Sequence, residues 1–329
     1  MTQFFNNVYL NEVATVTGPY EAKGPFGKFF DYSYDDLYFG AKTWEQAESK
    51  SITLGIDILL GKASLTKFDV DLMISSDLLN QITSSNYAGI NVPCPFIGIY
   101  AACAGSTLGI AIASNLVENG TINNAICAVS SHNNGAEKQF RYPVEYGGPK
   151  PKTTTFTATG SALSLVSNEK SKVRVESATL GRVIDSSITD VFHMGGVMSK
   201  AAADTIFKHL KDTGRNSNYY DLILTGDLGV YGKEILKEYM KSEYNIDLKN
   251  YDDSGVMLYD LSNQPVYAGA SGPVCLPLVS YSYILKQMND KKLKKVLLVA
   301  TGALHSQTTV NQKLSIPCIA HAISLEVVR

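Results

Sequence analysis

Two segments far apart in the chain decide the fold: DVDLMISSDLLNQ at residues 69–81 and NYYDLILTGDLGVYG at residues 218–232. Each opens on an aspartate-led apolar run, DLMISS or DLILTG, and each stops at an acid followed by leucine, Asp77-Leu78 and Asp227-Leu228. Each is followed by a stretch rich in small residues, a turn, and a second apolar run, AICAVS or KVLLVATG, with a histidine (His132 or His305) a few residues on. Strand, tight turn, helix of ten to fifteen residues, strand is the rhythm of parallel α/β units. Because four features recur in the same order, the chain is read as a duplicated α/β unit with a pseudo-twofold axis and a shared helical layer.

Around these anchors, helices are expected over 34–60 and 200–211, a sheet strand over 157–167, and loops over 18–27 and 142–151. Residues 233–263 carry most of the local charge and read as an exposed helix and loop inserted in the second repeat.

The 329 residues suffice for one large or two average domains. Lys plus Arg is 29 and Asp plus Glu is 31, so the net charge is 29 − 31 = −2. Such a balance carries no field for nucleic acid or an anionic membrane and argues against charge-driven partners. The charged fraction of 18% is below the usual ~25% and points to a large buried interior with a subunit interface. Five widely spaced cysteines, with no CxxC, suit a reducing compartment and neither a disulfide framework nor a zinc site. The N-terminus lacks a secretion signal pattern. The charge-free stretch VPCPFIGIYAACAGSTLGIAIAS imitates a membrane span, but Pro93, Pro95 and Cys103-Ala-Gly-Ser-Thr interrupt it. A strand, a tight turn and a buried helix explain those interruptions, so any membrane association is expected to be peripheral and protein-mediated.

Cys103 follows a buried strand and opens a helix in AACAGSTLGIA. A thiol at a helix N-terminus is expected to have a lowered pKa, although an apolar-flanked cysteine is also an ordinary small core residue. In this setting Cys103 resembles the nucleophile elbow of the thiolase superfamily, where the cysteine accepts an acyl group from a thioester. The resemblance implies a thiolase-like fold: two α/β repeats in a five-layered αβαβα arrangement, divided here as 1–175 and 176–329. The partners of that chemistry are missing from their usual places. Where a condensing enzyme has histidine, the strand LILTG runs into Asp227, and GNTS is replaced by Gly269-Ala270-Ser271-Gly272. A carboxylate there repels developing negative charge unless it is protonated, so acyl transfer or condensation stands as the alternative reading.

A narrower resemblance rests on SSDLLNQ, TSSNY, CAVSSHN, EKQFRYPVEYGG, AAADTI, YDLILTGDL, VATGALHS and IPCIAHA, with GPFGKFFD and KTWEQAE extending it towards the N-terminus. Together these are similar to the stage V sporulation protein AD (SpoVAD) family. That resemblance implies a non-catalytic protein of bacterial spores that binds dipicolinic acid or its calcium chelate. It would load the ligand into the developing spore and release it at germination with the other SpoVA membrane proteins. It also implies a peripheral place at the spore inner membrane, no enzymatic cofactor, and a homodimer paired through the strand before the cysteine.

The ligand-binding residues expected are Asp77, Cys103, His132, Asn133, Asp227 and Ser271, with no protein metal site. Asp77 and Asp227 are expected to face one cleft from equivalent places, although strand-end acids also serve as turn caps. His132, Asn133 and Ser271 are expected at its edge, and Arg141 and Lys152 are possible partners for a dianion. Two carboxylates would repel dipicolinate unless calcium accompanies it, burial protonates an acid, or basic groups outweigh the acids.

Overall fold

The computed structural model describes residues 1–140 and 150–328. Its strands form two sets of five with the same order. In the first set the order is Phe96–Gly98, Leu72–Ser76, Asn124–Ser131, Gly160–Ser167, Tyr9–Thr17. In the second it is Tyr251–Asp253, Leu222–Thr225, Lys295–Ala303, Pro317–Val327, Val173–Leu180. Three parallel strands are followed by two antiparallel ones in each set. The sets meet through one residue pair, Tyr9 with Arg174. The duplication read from the sequence is therefore a duplication of topology.

Alternation along the strands explains the layers. In the first set Leu72, Ile74, Ala125 and Cys127 point to the central core, while Met73, Ile126 and Leu163 point outward to helix Trp44–Ala63. In the second set Val296 and Leu298 face the centre, while Leu297 and Val299 face helix Met194–Thr213. A strand covered on both faces reads as a continuous apolar run, as these do. Helix Gly105–Glu118 lies in the middle layer, with Ile110, Ala113 and Val117 in the central core. Thr107 ties it to the second half by donating to the carbonyl of His321 at 3.0 Å.

Three expectations from the sequence are corrected. The first long helix begins at Trp44, capped by the Thr43 side chain, because the aromatic and Gly-rich segment before it docks as a loop. The helix expected over 200–211 spans Met194–Thr213, with His193 capping its start and Gly214 in the left-handed conformation ending it. Residues 233–263 are more than an exposed insertion: helix Gly229–Tyr244 leads to the edge strand Tyr251–Asp253, and Asp253 and Tyr259 are buried. Their charge sits mainly on the outer face of the helix, which the sequence signal reflected. The membrane-like stretch folds as strand, turn and the 14-residue helix, and no helix among the described residues is long and apolar enough to cross a membrane.

The small residues around the cysteine turn are set by contact distance. A Cβ on Gly302 would stand 2.3 Å from the Ala101 carbonyl oxygen, and one on Gly105 would stand 2.6 Å from Ser76 Oγ. Gly302 belongs to the second half and Ala101 to the first, so this contact sets how closely the halves approach. Gly302→Ala is expected to destabilise the protein by about 1–3 kcal/mol, seen as a fall of several degrees in the thermal midpoint.

Candidate functional site

The elbow is built by a left-handed residue. Ala102 has φ of +47°, the Ala104 amide donates back to the Ala101 carbonyl at 3.0 Å, and helix Gly105–Glu118 starts immediately afterwards. A non-glycine residue held at positive φ stores strain that the surrounding packing must overcome. The turn places Cys103 in a pocket at the end of the sheet where the parallel strands finish. Leu78, Tyr100, Phe140, Met194, Met198 and Ala303 supply its apolar wall. Thr155, Thr157, Ser271, Glu137, His305 and the Gly272 backbone supply polar groups.

Of the residues expected from sequence, Cys103 and Ser271 line this pocket. Ser271 is fixed there because Ala270–Ser271 pairs with Phe156–Thr157, and the Ser271 carbonyl accepts from the Ala158 amide at 2.8 Å. Asp227 lies against Cys103 beneath the lining. It is fully buried, sits at φ of +76°, and neither carboxyl oxygen has a hydrogen-bond partner. The Gly272 amide faces both it and the thiol. Burial, with the Asp253 carboxyl adding to it, pushes Asp227 well above the usual carboxylate range. Burial therefore favours its neutral form, which carries no charge and can donate a hydrogen bond.

Asp77 is placed elsewhere. Its oxygens accept from the backbone amides of Leu79 and Ser85, both at 2.8 Å, and it does not line the pocket. Burial raises its pKa, as it does that of neighbouring Glu48, on which the charge of Asp77 also acts. In the second half the amide-binding role falls to Asp253, which accepts from the Gly229 and Gly255 amides, both at 2.9 Å, and from Thr225 Oγ1 at 2.7 Å. Burial still pushes Asp253 up to about 6. Two acids at matching places thus have different work: Asp77 holds a loop, and Asp227 is left bare.

His132 and Asn133 are also structural anchors. His132 Nε2 bonds the Leu37 carbonyl at 2.7 Å, Nδ1 accepts from the Gly135 amide at 3.4 Å, and the ring stacks on Trp44. Burial lowers its pKa and keeps it neutral. Asn133 Nδ2 donates to the Thr157 carbonyl at 3.1 Å. Lys152 is exposed, and Arg141 lies outside the described residues. Reasoning from the sequence left out Tyr100, Glu137 and Phe140, and treated His305 only as an echo of His132. The motifs EKQF and VATGALHS carried three of them. Glu137 forms an ion pair with Lys150 at 2.9 Å, and the His305 ring packs 5.1 Å from that of Phe140.

The expectation of an acidic thiol is corrected. Helix Gly105–Glu118 begins two residues after Cys103, and burial together with Asp227 pushes the thiol well above its ordinary value of 9.0. The backbone contribution of Gly272 is the smaller effect.

The family profile for Stage V sporulation protein AD (SpoVAD) matches residues 1–326. The Stage V sporulation protein AD of Bacillus subtilis (strain 168) is 44% identical over 324 residues, covering 98% of this chain and 95% of that protein. The chain belongs to the SpoVAD family. Among solved structures, an OleA variant of Xanthomonas campestris aligns with a TM-score of 0.63 at 15% identity, over 98% of this chain and 99% of the other. The 3-oxoacyl-[acyl-carrier-protein] synthase III of Aquifex aeolicus VF5 aligns with a TM-score of 0.57 at 16% identity, over 99% and 100%. At these identities the likeness shows the fold: this SpoVAD family member has a thiolase-like fold.

Asp227 gives a signed pH dependence. The folded state holds its proton above the ordinary value of 3.8, so stability present at low pH is lost as pH rises through the raised folded value. Asp227→Asn lacks this loss. Its thermal midpoint is expected to exceed the wild-type value at about pH 8, with the difference closing towards pH 4. Alkylation of Cys103 by iodoacetamide, read by peptide mass, is expected to be slow at about pH 8, because burial holds the thiol in its protonated form.

Proposed function

We propose that this SpoVAD family protein is a non-catalytic receptor whose Cys103 pocket takes dipicolinic acid, free or as the calcium chelate. In this reading it serves ligand uptake into the developing spore and release at germination, as a peripheral protein of the spore inner membrane working with the other SpoVA proteins. The observation that carries the proposal is the bare, buried Asp227 beside Cys103, where a condensing enzyme has an imidazole. A neutral acid accepts no proton from a thiol, so the arrangement favours holding a ligand over activating a nucleophile.

The same acid answers the charge problem. Of the three ways to avoid repelling a dianion, protonation by burial is the one the geometry favours, since burial favours the neutral form of Asp227 and Glu137 is paired with Lys150. Apolar walls from Phe140, Met194 and Met198 suit a flat ring, while Ser271, His305 and the Gly272 amide suit its carboxylates.

A homodimer through the strand Phe96–Gly98 belongs to the same proposal. Among the described residues that strand pairs on one side only, with Leu72–Ser76. Phe96 and Ile97 are each 37% exposed beside Tyr87 and Ile90, an apolar sheet edge of the kind that subunits cover.

Dipicolinate is expected to raise the thermal midpoint and to titrate by calorimetry, with Cys103→Ala weakening it roughly three- to tenfold without abolishing it. An acyl-CoA is expected to leave no adduct on the intact mass. An adduct that disappears in Cys103→Ala would establish the acyl-transfer alternative instead. Repeating the titration with a calcium chelator separates the two ligand forms: unchanged affinity assigns the free diacid.

A further inference from the structure

The Cys103 pocket has a larger neighbour. The pocket itself encloses ≈ 70 Å³, whereas a groove beside it encloses ≈ 690 Å³. A cavity of about 150 Å³ accommodates benzene, so the pocket alone has room for a carboxylate and not for the ring that bears it. Leu78, Tyr100, Phe140 and His305 line both spaces, so their side chains are the wall between them.

Half of that wall is lightly held. Phe140 ends helix Asn133–Phe140, and His305 lies between strand Lys295–Ala303 and helix Gln307–Asn311. Phe140 packs on a small satellite cluster of three buried residues, Leu78, Ala102 and Ala136. The far side of the pocket is different, because Met198 and Ala303 belong to the large core of the second half. Positions at element ends with few buried contacts are those that open locally.

Beyond the wall the groove is polar without being charged. Asn80, Gln139, Ser306 and Thr309 line it, and among the described residues no aspartate, glutamate, lysine or arginine does. Gln139 donates to Asn80 Oδ1 at 2.7 Å, which orders the two amides against each other. Amides and hydroxyls supply donors to a carboxylate and bring no repelling charge.

We propose that pocket and groove are two chambers of one site, and that a ring dicarboxylate binds across a wall that Phe140 and His305 open. One carboxylate enters the Cys103 pocket among Thr157, Ser271 and the Gly272 amide. The ring takes the place of the parted wall beside Tyr100, and the second carboxylate meets Gln139 and Ser306 in the groove. This rests on the receptor reading above and adds to it a second subsite and the residues that select a diacid over a monoacid.

The test is calorimetric titration of the full chain with dipicolinate and with picolinate, the same ring carrying one carboxylate. The wild type is expected to prefer dipicolinate by at least about tenfold. Gln139→Glu puts a carboxylate in the groove and is expected to remove most of that preference, with Gln139→Ala giving an intermediate loss. Both variants are expected to keep the thermal midpoint of the unliganded wild type. The wall has a readout that needs no ligand: the labelling rate of Cys103 by iodoacetamide and by the larger N-ethylmaleimide, each relative to free cysteine. The wild type is expected to disfavour the larger reagent by about tenfold and Phe140→Ala to lose that discrimination, a ratio from which the pKa of the thiol cancels. Equal affinity of the wild type for the two acids would overturn the second subsite and leave the receptor reading standing. So would an unchanged preference in Gln139→Glu or an unchanged labelling ratio in Phe140→Ala. A wild type that binds neither acid would overturn both readings together.

Discussion

The close approach of the two halves at the cysteine turn is the constraint on which the other features depend. Gly302 of one half lies against the Ala101 carbonyl of the other, and Gly105 lies against Ser76. Neither position has room for a Cβ, so the central helix is wedged between two sheets with its first turn fixed. Close packing of this kind leaves little freedom to a residue it encloses. It makes the positive φ of Ala102 tolerable and fixes where the Cys103 sulfur must sit.

Enclosure also sets the electrostatics. Desolvation is the largest influence on Cys103, Asp227, Asp253 and Asp77 alike, and it acts against the charged form of each. What distinguishes the acids is the number of donors each one meets. Asp253 collects amides from the turns at Gly229 and Gly255 and is pushed only to about 6. Among the described residues Asp227 has no hydrogen-bond partner on either carboxyl oxygen, and burial pushes it well above the usual carboxylate range. A thiol beside such a group loses the usual benefit of a helix N-terminus, because the dipole effect of about 0.3–1 kcal/mol is small beside the cost of a buried charge.

The fold was legible because duplication writes itself twice. DLMISS and DLILTG are the same strand in the same place, and strands covered on both faces leave unbroken apolar runs. The site was legible only in part. Cys103 was marked by its small neighbours, whose size is dictated by contacts that the sequence shows as a run of Ala and Gly. Asp77 and Asp227 look equivalent along the chain, yet the fold gives one of them two amide hydrogen bonds and leaves the carboxyl oxygens of the other with no hydrogen-bond partner among the described residues. That difference arises from loops whose conformation no local pattern specifies. His132 illustrates the same limit. Its partner, the Leu37 carbonyl, is 95 residues away, so the ring's use as an anchor for the segment before Trp44 could not be seen from SSHN.

Composition says as little about where charge lies. A sum over 329 residues says nothing of position, and here position follows from strand polarity. In parallel units the segments entering the strands gather at one end and those leaving them at the other. The entering segments carry charge of both signs, Asp69 and Asp71, Asp221, Glu169 with Lys170 and Lys172, and Asp290 with Lys291 and Lys292, whereas the leaving segments at 101–105 and 304–305 carry small, apolar and weakly charged residues of the pocket. The duplication therefore does more than repeat a strand order. It aligns the polarity of both halves, so that a face of mixed charge and a pocket poor in free charge lie at opposite ends of one sheet system. Moving charged residues from one set of loops to the other would leave the net charge at −2, yet it would erase this contrast. The quantity that bears on docking is thus the field at each end of the strands, which is fixed by topology once the loop sequences are known.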